Sequence, residues 1–155
     1  MVFLSNDSYP VKGIYCSYNN NQCAMTYLGI IILYLVFRAK QLICDFALQN
    51  AYMVAHKHKP WREGGAKALF QHCGIHAIFT FTIVMFYAPQ LWWLGLFDFF
   101  LHAGIDRAKG VLTDRAGWTH KDHRYWVIFG LDQEAHNLSH LFYVVLIVAV
   151  TGVIH

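Results

Sequence analysis

Residues 91–109 read LWWLGLFDFFLHAGIDRAK. An α-helix needs about 20 apolar residues to cross a hydrocarbon layer about 30 Å thick, and this run has that length and character. Its polar members are not scattered. Asp98, His102 and Asp106 follow at intervals of four, with Lys109 one turn on. Four steps of about 100° return a side chain to within about 40° of its start, so the three groups share one helix face. Ionisable groups on a spanning helix face a protein interior or a water-filled cavity, because lipid does not solvate them.

The same pattern recurs in the neighbouring runs. Residues 125–154 carry Asp132, His136 and His140, with Gln133, Glu134 and Asn137 beside them. Residues 66–87 carry His72 and His76, and residues 25–55 carry Gln41, Asp45 and Gln49. Between the runs lie a polar connection with Pro60 and a Gly pair, a tight Ala88-Pro89-Gln90 link, and a second polar loop over 110–124. Lipid admits helices or closed barrels, and four long runs without strict alternation cannot close a barrel. The expected fold is all-α: an integral membrane four-helix bundle over 25–155, with spans at about 25–55, 66–87, 91–109 and 125–154. A polar, Asn-rich tail over 1–24 precedes it and lacks the pattern of a signal peptide.

Composition agrees. Of 155 residues, 57% are hydrophobic and only 14% charged, too few charges to wet the surface of a small soluble domain and too much apolar content for disorder. A net charge of +3 with no basic stripe argues against a nucleic-acid partner. The basic residues cluster at two connections: Lys57, Lys59, Arg62 and Lys67 at the first, and Arg107, Lys109, Arg115, Lys121 and Arg124 at the third. The positive-inside rule places both on the cytoplasmic side and both termini outside, with Trp92 and Trp93 at the outer interface and Trp61 and Trp126 at the inner one. His56, His58, His120 and His123 then read as solvated loop residues. Cys16 and Cys23 lie in the outside tail, where a bridge and a pair of free thiols both stay open. Cys44 and Cys73 read as small buried apolar side chains.

The polar stripes also share a depth. Counted from the basic connections, Asp45, His72, His76, His102 and Asp132 all fall within about three helical turns. Four stripes converging at one level make a polar core in the cytoplasmic half. Two His at i and i+4 can hold one ion from one helix face. Imidazole with carboxylate suits zinc, iron or manganese, whereas magnesium favours oxygen ligands and no thiol pair stands at ligand spacing. The expected ligands are Asp45, His72, His76, His102, Asp106, Asp132 and His136, enough for one or two divalent ions. Gln49, Asp98, Gln133 and His140 are expected to orient them. A hydrogen-bonded polar core without metal is the alternative.

The run Cys44-Asp45-Phe46-Ala47-Leu48-Gln49, with Tyr52-Met53 following, resembles the opening motif of a bacterial and phage membrane family catalogued as domain of unknown function 3307. His72-x-x-x-His76, the Asp98 to Lys109 series and Asp132-Gln133-x-x-His136 are similar to its later motifs, in the same order, over about 37–146. Many relatives carry His four residues before the first Asp, where this chain has Gln41. The resemblance implies a small bacterial inner-membrane protein. It also looks distantly like small membrane proteins described as metal-dependent hydrolases.

Three functions fit the residues. In the first, a metal-dependent hydrolase works at the inner leaflet on a membrane lipid or lipid-linked substrate. Metal would activate water, Asp98 or Glu134 would serve as general base, and Lys109 would hold an anionic headgroup. In the second, the His/Asp core passes protons or metal ions; no polar stripe continues through the outer halves of the spans, which are instead Leu, Ile, Val and Phe, and this counts against it. In the third, the chain is a non-catalytic subunit of a larger membrane assembly.

Overall fold

The computed structural model describes the backbone of residues 8–11, 14–17 and 22–154, and the side chains of 25–153. Most of the described chain is helical. Three short strands precede the helices: β1 (Ser8–Val11), β2 (Ile14–Ser17) and β3 (Gln22–Thr26). They form an antiparallel ribbon, and β4 (Val153–Ile154) joins β3 in parallel at the far end of the chain. The polar composition of the tail gave no sign of this pairing. Cys16 and Cys23 stand opposite each other in the register of β2 and β3. Whether they are bridged lies outside the described side chains.

Thr26 ends the ribbon and starts α1 (Tyr27–Leu42), its Oγ1 accepting from the Gly29 N–H at 3.0 Å. The sequence suggested one helix from here to residue 55. Instead α1 widens into a π-turn over Ile43–Ala47, closed by Leu48 N–H donating to Ile43 O at 2.9 Å, and the chain breaks at 48–50. Asn50 restarts it as α2 (Ala51–His56), its side chain accepting from the Met53 N–H. A capping residue inside an apolar run therefore splits what hydropathy alone joins.

Three long helices follow: α3 (Gly65–Tyr87), α4 (Leu94–Ala116) and α5 (His123–Thr151). Gly117 ends α4 in the left-handed region, at φ 65°, with its N–H on the carbonyls of Thr113 and Asp114. α3 packs on α4, α4 on α5, α5 on α1 and α1 on α3, so the four long helices close a ring. An apolar cluster fills one end, with Leu33 and Phe37 from α1, Val84 from α3, Leu94 from α4, and Tyr143 and Ile147 from α5.

Among the described residues, three helices are long and apolar enough to cross a membrane: Tyr27–Ala47, Gly65–Tyr87 and His123–Thr151. α4 is as long as α3 but carries Asp98, Asp106, Arg107, Lys109, Asp114 and Arg115, which lower its hydropathy.

Candidate metal centre

At the other end of the ring the buried side chains are polar. Lys40, Gln41, His72, His76, Asp98, His102, Asp106, Asp132, His136 and His140 are all buried. The i, i+4 spacing accounts for their shared inward face, and the π-turn carries Asp45 into the same region.

Two groups of three have ligand atoms within 4.8 Å of one another: Asp45, His72 and His76, and Asp106, Asp132 and His136. In the first, Asp45 Oδ1 lies 3.1 Å from His76 Nε2 and 3.4 Å from His72 Nε2. In the second, His136 Nε2 lies 3.7 Å from both Asp106 Oδ1 and Asp132 Oδ1. His72 Nε2 also lies 3.2 Å from Asp106 Oδ2, so the two groups are contiguous. His102 belongs to neither. Its ring is 3.9 Å from that of His76 and 4.0 Å from that of His136, centroid to centroid, which places it between them. Six of the seven expected ligands are thus assembled in two sets, and the seventh is packed against both.

Amides and lysines hold these carboxylates. Gln41 donates to Asp45 Oδ2 at 2.8 Å and Gln133 does so at 3.3 Å. Lys109 donates to Asp132 Oδ2 at 2.9 Å, and Lys57 to Asp106 Oδ2 at 3.1 Å. Lys57 reaches the centre because Arg107 of α4 donates to the carbonyls of His58 and Lys59, both at 2.9 Å, and pins that connection. His58 packs against Gly110, where a Cβ would come within 2.5 Å of its Nδ1. Burial, then the Lys57 ammonium, push the His58 pKa below its usual value. Lys57 and His58, expected in a solvated loop, instead line the centre.

Asp98 does not meet the role expected of a general base. It is fully buried and lies outside the pocket described below. Its oxygens accept from Lys40 at 2.8 Å, Thr80 at 2.7 Å and Tyr143 at 3.0 Å, and lie 3.3 Å from His102 Nδ1. Those groups come from α1, α3, α5 and α4 in turn, so one carboxylate ties all four helices. His140 belongs to the same knot, its Nε2 3.2 Å from Lys40 Nζ. Glu134, the other expected base, is exposed on α5 and accepts from Asn137 at 3.2 Å. Lys109 alone of the three expected catalytic residues lines the pocket.

Sequence reasoning missed Lys57, Thr80 and Tyr143, and marked Lys40 only as a charge in the first span that must snorkel or find a partner, which is Asp98. Lys40 did carry a signal, since it continues the buried α1 stripe of Leu33 and Phe37. Lys57 carried none, because it follows the break at 48–50.

The centre opens through a pocket of about 170 Å³, lined by Asp45, Gln49, Lys57, His58, Asp106, Lys109, Asp132 and Gln133, with Phe46, Val54, Tyr125 and Phe129. Among the described residues, Asp132 Oδ1, Gln49 Oε1, His102 Nε2 and the Nδ1 atoms of His72, His76 and His136 are buried without a hydrogen-bond partner. An unsatisfied buried polar atom costs about 1–3 kcal/mol, so a concentration of them suits a site that takes up an ion or water. The donor set, imidazole and carboxylate in two adjoining groups, fits a divalent ion of borderline softness.

A mostly helical chain with three apolar spanning-length helices and a buried His/Asp/Lys cluster defines the class. The chain belongs to the family described as "Protein of unknown function (DUF3307)", which matches residues 30–154 and so takes in every residue of the cluster. No curated protein and no solved structure matches it.

Proposed function

We propose that the chain is a four-helix bundle of the bacterial inner membrane and a metal-dependent hydrolase. Its polar core, in the cytoplasmic half, holds one or two divalent ions, zinc, iron or manganese, and acts on a lipid or lipid-linked substrate. The observation that carries this is the pair of contiguous His/Asp groups opening onto one pocket that two lysines line.

The fourth span is α4. Its Asp98, His102 and Asp106 are buried while Leu96, Phe97, Phe100 and Leu112 are exposed, so it presents an apolar surface despite its charge. Trp61, Trp92, Trp93 and Trp126 are exposed, as interface anchors would be. The pocket opens at the end bearing the two basic connections, which the positive-inside rule assigns to the cytoplasm, with both termini outside. A bound ion would lower the pKa of its water and polarise a phosphoryl or acyl oxygen. Asp106, near His72 as well as His136, is placed to serve both ions. The apolar cluster of Leu33, Phe37, Val84 and Ile147 closes the opposite end, which supports chemistry at one leaflet over passage of ions through the bundle.

Elemental analysis of the purified protein tests the reading. One or two transition-metal ions per chain are expected, and His76→Ala and His136→Ala should each lose at least about half of a two-ion complement, or all of a single ion, together with thermal stability. Full metal content in both variants would overturn the site. Metal without turnover of phospholipid, lipid phosphate or lipid-linked substrate in vesicles would overturn the hydrolase and leave a metal-bearing membrane subunit.

A further inference from the structure

The polar centre already contains cations of its own. Lys57 Nζ lies 3.1 Å from Asp106 Oδ2 and 3.3 Å from His72 Nε2. Lys109 Nζ lies 2.9 Å from Asp132 Oδ2. Asp106 and Asp132 belong to one candidate ligand group and His72 to the other. Lys57 therefore sits against His72 Nε2, an atom that a metal ion would claim, and each ammonium holds the Oδ2 of a carboxylate whose Oδ1 lies 3.7 Å from His136 Nε2. Both lysines are about nine-tenths buried, so a displaced ammonium has no bulk water to turn to. It has the pocket, which both side chains line.

Charge then limits what the centre can hold. Lys40 and Asp98 neutralise each other in the knot below the centre. Around the pocket, Asp45, Asp106 and Asp132 stand against Lys57 and Lys109. With neutral imidazoles, three carboxylates against two ammonium groups leave one negative charge. One divalent ion turns that into one positive charge, which a metal-bound hydroxide cancels. Two ions leave three positive charges, or two once a hydroxide is counted as before, packed between helices, where neither lipid nor apolar side chains screen them. A group carrying about two negative charges and several acceptor oxygens would relieve that excess. A phosphate monoester is such a group, and adjacent metal ions bind phosphoryl oxygens as a clamp.

Resting on the metal reading above, we propose that the second ion enters only together with a phosphate group. That group occupies the pocket and accepts the ammonium groups of Lys57 and Lys109 as they leave Asp106 and His72, and Asp132. The ligand class is a terminal phosphate, carried by a lipid headgroup or free in solution. The lysines act as placeholders, holding the carboxylates until metal and phosphate arrive together.

Manganese serves as the probe, because spin coupling between two adjacent Mn²⁺ ions is visible by paramagnetic resonance. The full-length protein in phosphatidylcholine nanodiscs is titrated with Mn²⁺ alone, with inorganic phosphate, and with phosphatidic acid replacing part of the lipid. The expected result is one ion per chain without phosphate. A second, spin-coupled ion should appear, with at least tenfold tighter binding, when a phosphate is supplied. A response to inorganic phosphate assigns the group to a soluble source, and a response to phosphatidic acid alone assigns it to a headgroup; either supports the proposal.

Lys57→Met and Lys109→Met each remove one positive charge. In these variants the second ion should bind with much weaker dependence on phosphate, an outcome that simple damage to the fold would not produce. Lys109→Arg keeps the charge and should keep the dependence. Two ions binding equally well with and without phosphate would overturn the proposal and leave the metal reading intact. So would a single ion at saturating phosphate. No bound ion under any condition would overturn both.

Discussion

Leu33 and Val84 sit in an apolar layer shared by α1 and α3, and about two turns further along the same helices stand Lys40 and His76. The two ends of the ring bury comparable side chains by opposite means. At the apolar end, Leu, Val, Ile and Phe pack against one another, and a wide apolar groove opens along α1 and α3, lined by Leu28, Ile32, Val36, Ile83 and Phe86. At the polar end the carboxylates are held by side chains from other helices, while several imidazole nitrogens stay without a partner among the described residues. Lipid tails are as apolar as leucine, so apolar packing in a bilayer discriminates weakly between one helix arrangement and another. The polar end supplies what the apolar end cannot, since Asp98 accepts from Lys40, Thr80 and Tyr143 only when α1, α3, α4 and α5 share one register. The contacts that fix the helix register and the candidate metal ligands therefore lie in the same half.

The most severe way to break this contrast is to remove the hub. Asp98→Ala leaves the Lys40 ammonium uncompensated in a dry interior and orphans the hydroxyls of Thr80 and Tyr143. Breaking one side of a buried pair costs about 3–5 kcal/mol. Thermal unfolding in detergent should show Asp98→Ala as the least stable single variant. Lys40→Met combined with Asp98→Leu, which removes both charges, should recover most of the loss. A double variant no better than Asp98→Ala would mean that the pair does not act as a unit.

The apolar end should respond differently. Ile147 is fully buried, and Ile147→Ala opens a cavity worth about 2–3 kcal/mol, toward the low end of the range for such a deletion. Stability should fall while the metal content per folded chain stays at the wild-type value. Loss of metal alongside stability would show the two ends to be coupled through the helices, against the division drawn above.

How far this division could be read from the sequence depends on periodicity. Asp98, His102 and Asp106, or Asp132, His136 and His140, repeat at the helical interval, so their common burial follows from spacing alone. The stripes marked the candidate ligands but not how they divide into two groups. Nothing in the spacing shows that His72 reaches both Asp45 and Asp106, or that His102 packs between the two groups; those facts depend on how four helices rotate against one another. Role also escaped. A carboxylate at a stripe position looks the same whether donors enclose it, like Asp98, or one of its oxygens is left without a partner, like Asp132. The break at 48–50 hid Lys57 and His58, because helical periodicity carries no information across an interruption of the helix.

The smallest expected effect asks how far the polar end extends beyond the helices. His58 lies in the connection after α2, half-buried against Gly110, with Lys57 and Lys109 opposing its protonation and Asp106 and Asp114 favouring it. Burial and the Lys57 ammonium prevail, so its pKa in the folded chain lies below the value of about 6.5 that it has when unfolded. At pH 7.5 the ring is neutral in both states and pH has no leverage on it. As pH falls through about 6.5 the unfolded chain takes up a proton that the folded chain refuses. Stability then declines, by at most about 1.4 kcal/mol per pH unit, and levels off once pH passes below the folded value. A metal bound among the helices, if released by acid, would add the same loss to every variant, so the informative quantity is a difference. Between pH 7.5 and 5.5, wild type should lose more thermal stability than His58→Gln, whose amide keeps the ring's approximate size without titrating. Parallel slopes would confine the polar end to the helices, and a wild type that gains on the variant at low pH would mean that the connection accepts the charged ring, with Asp106 and Asp114 outweighing the two lysines.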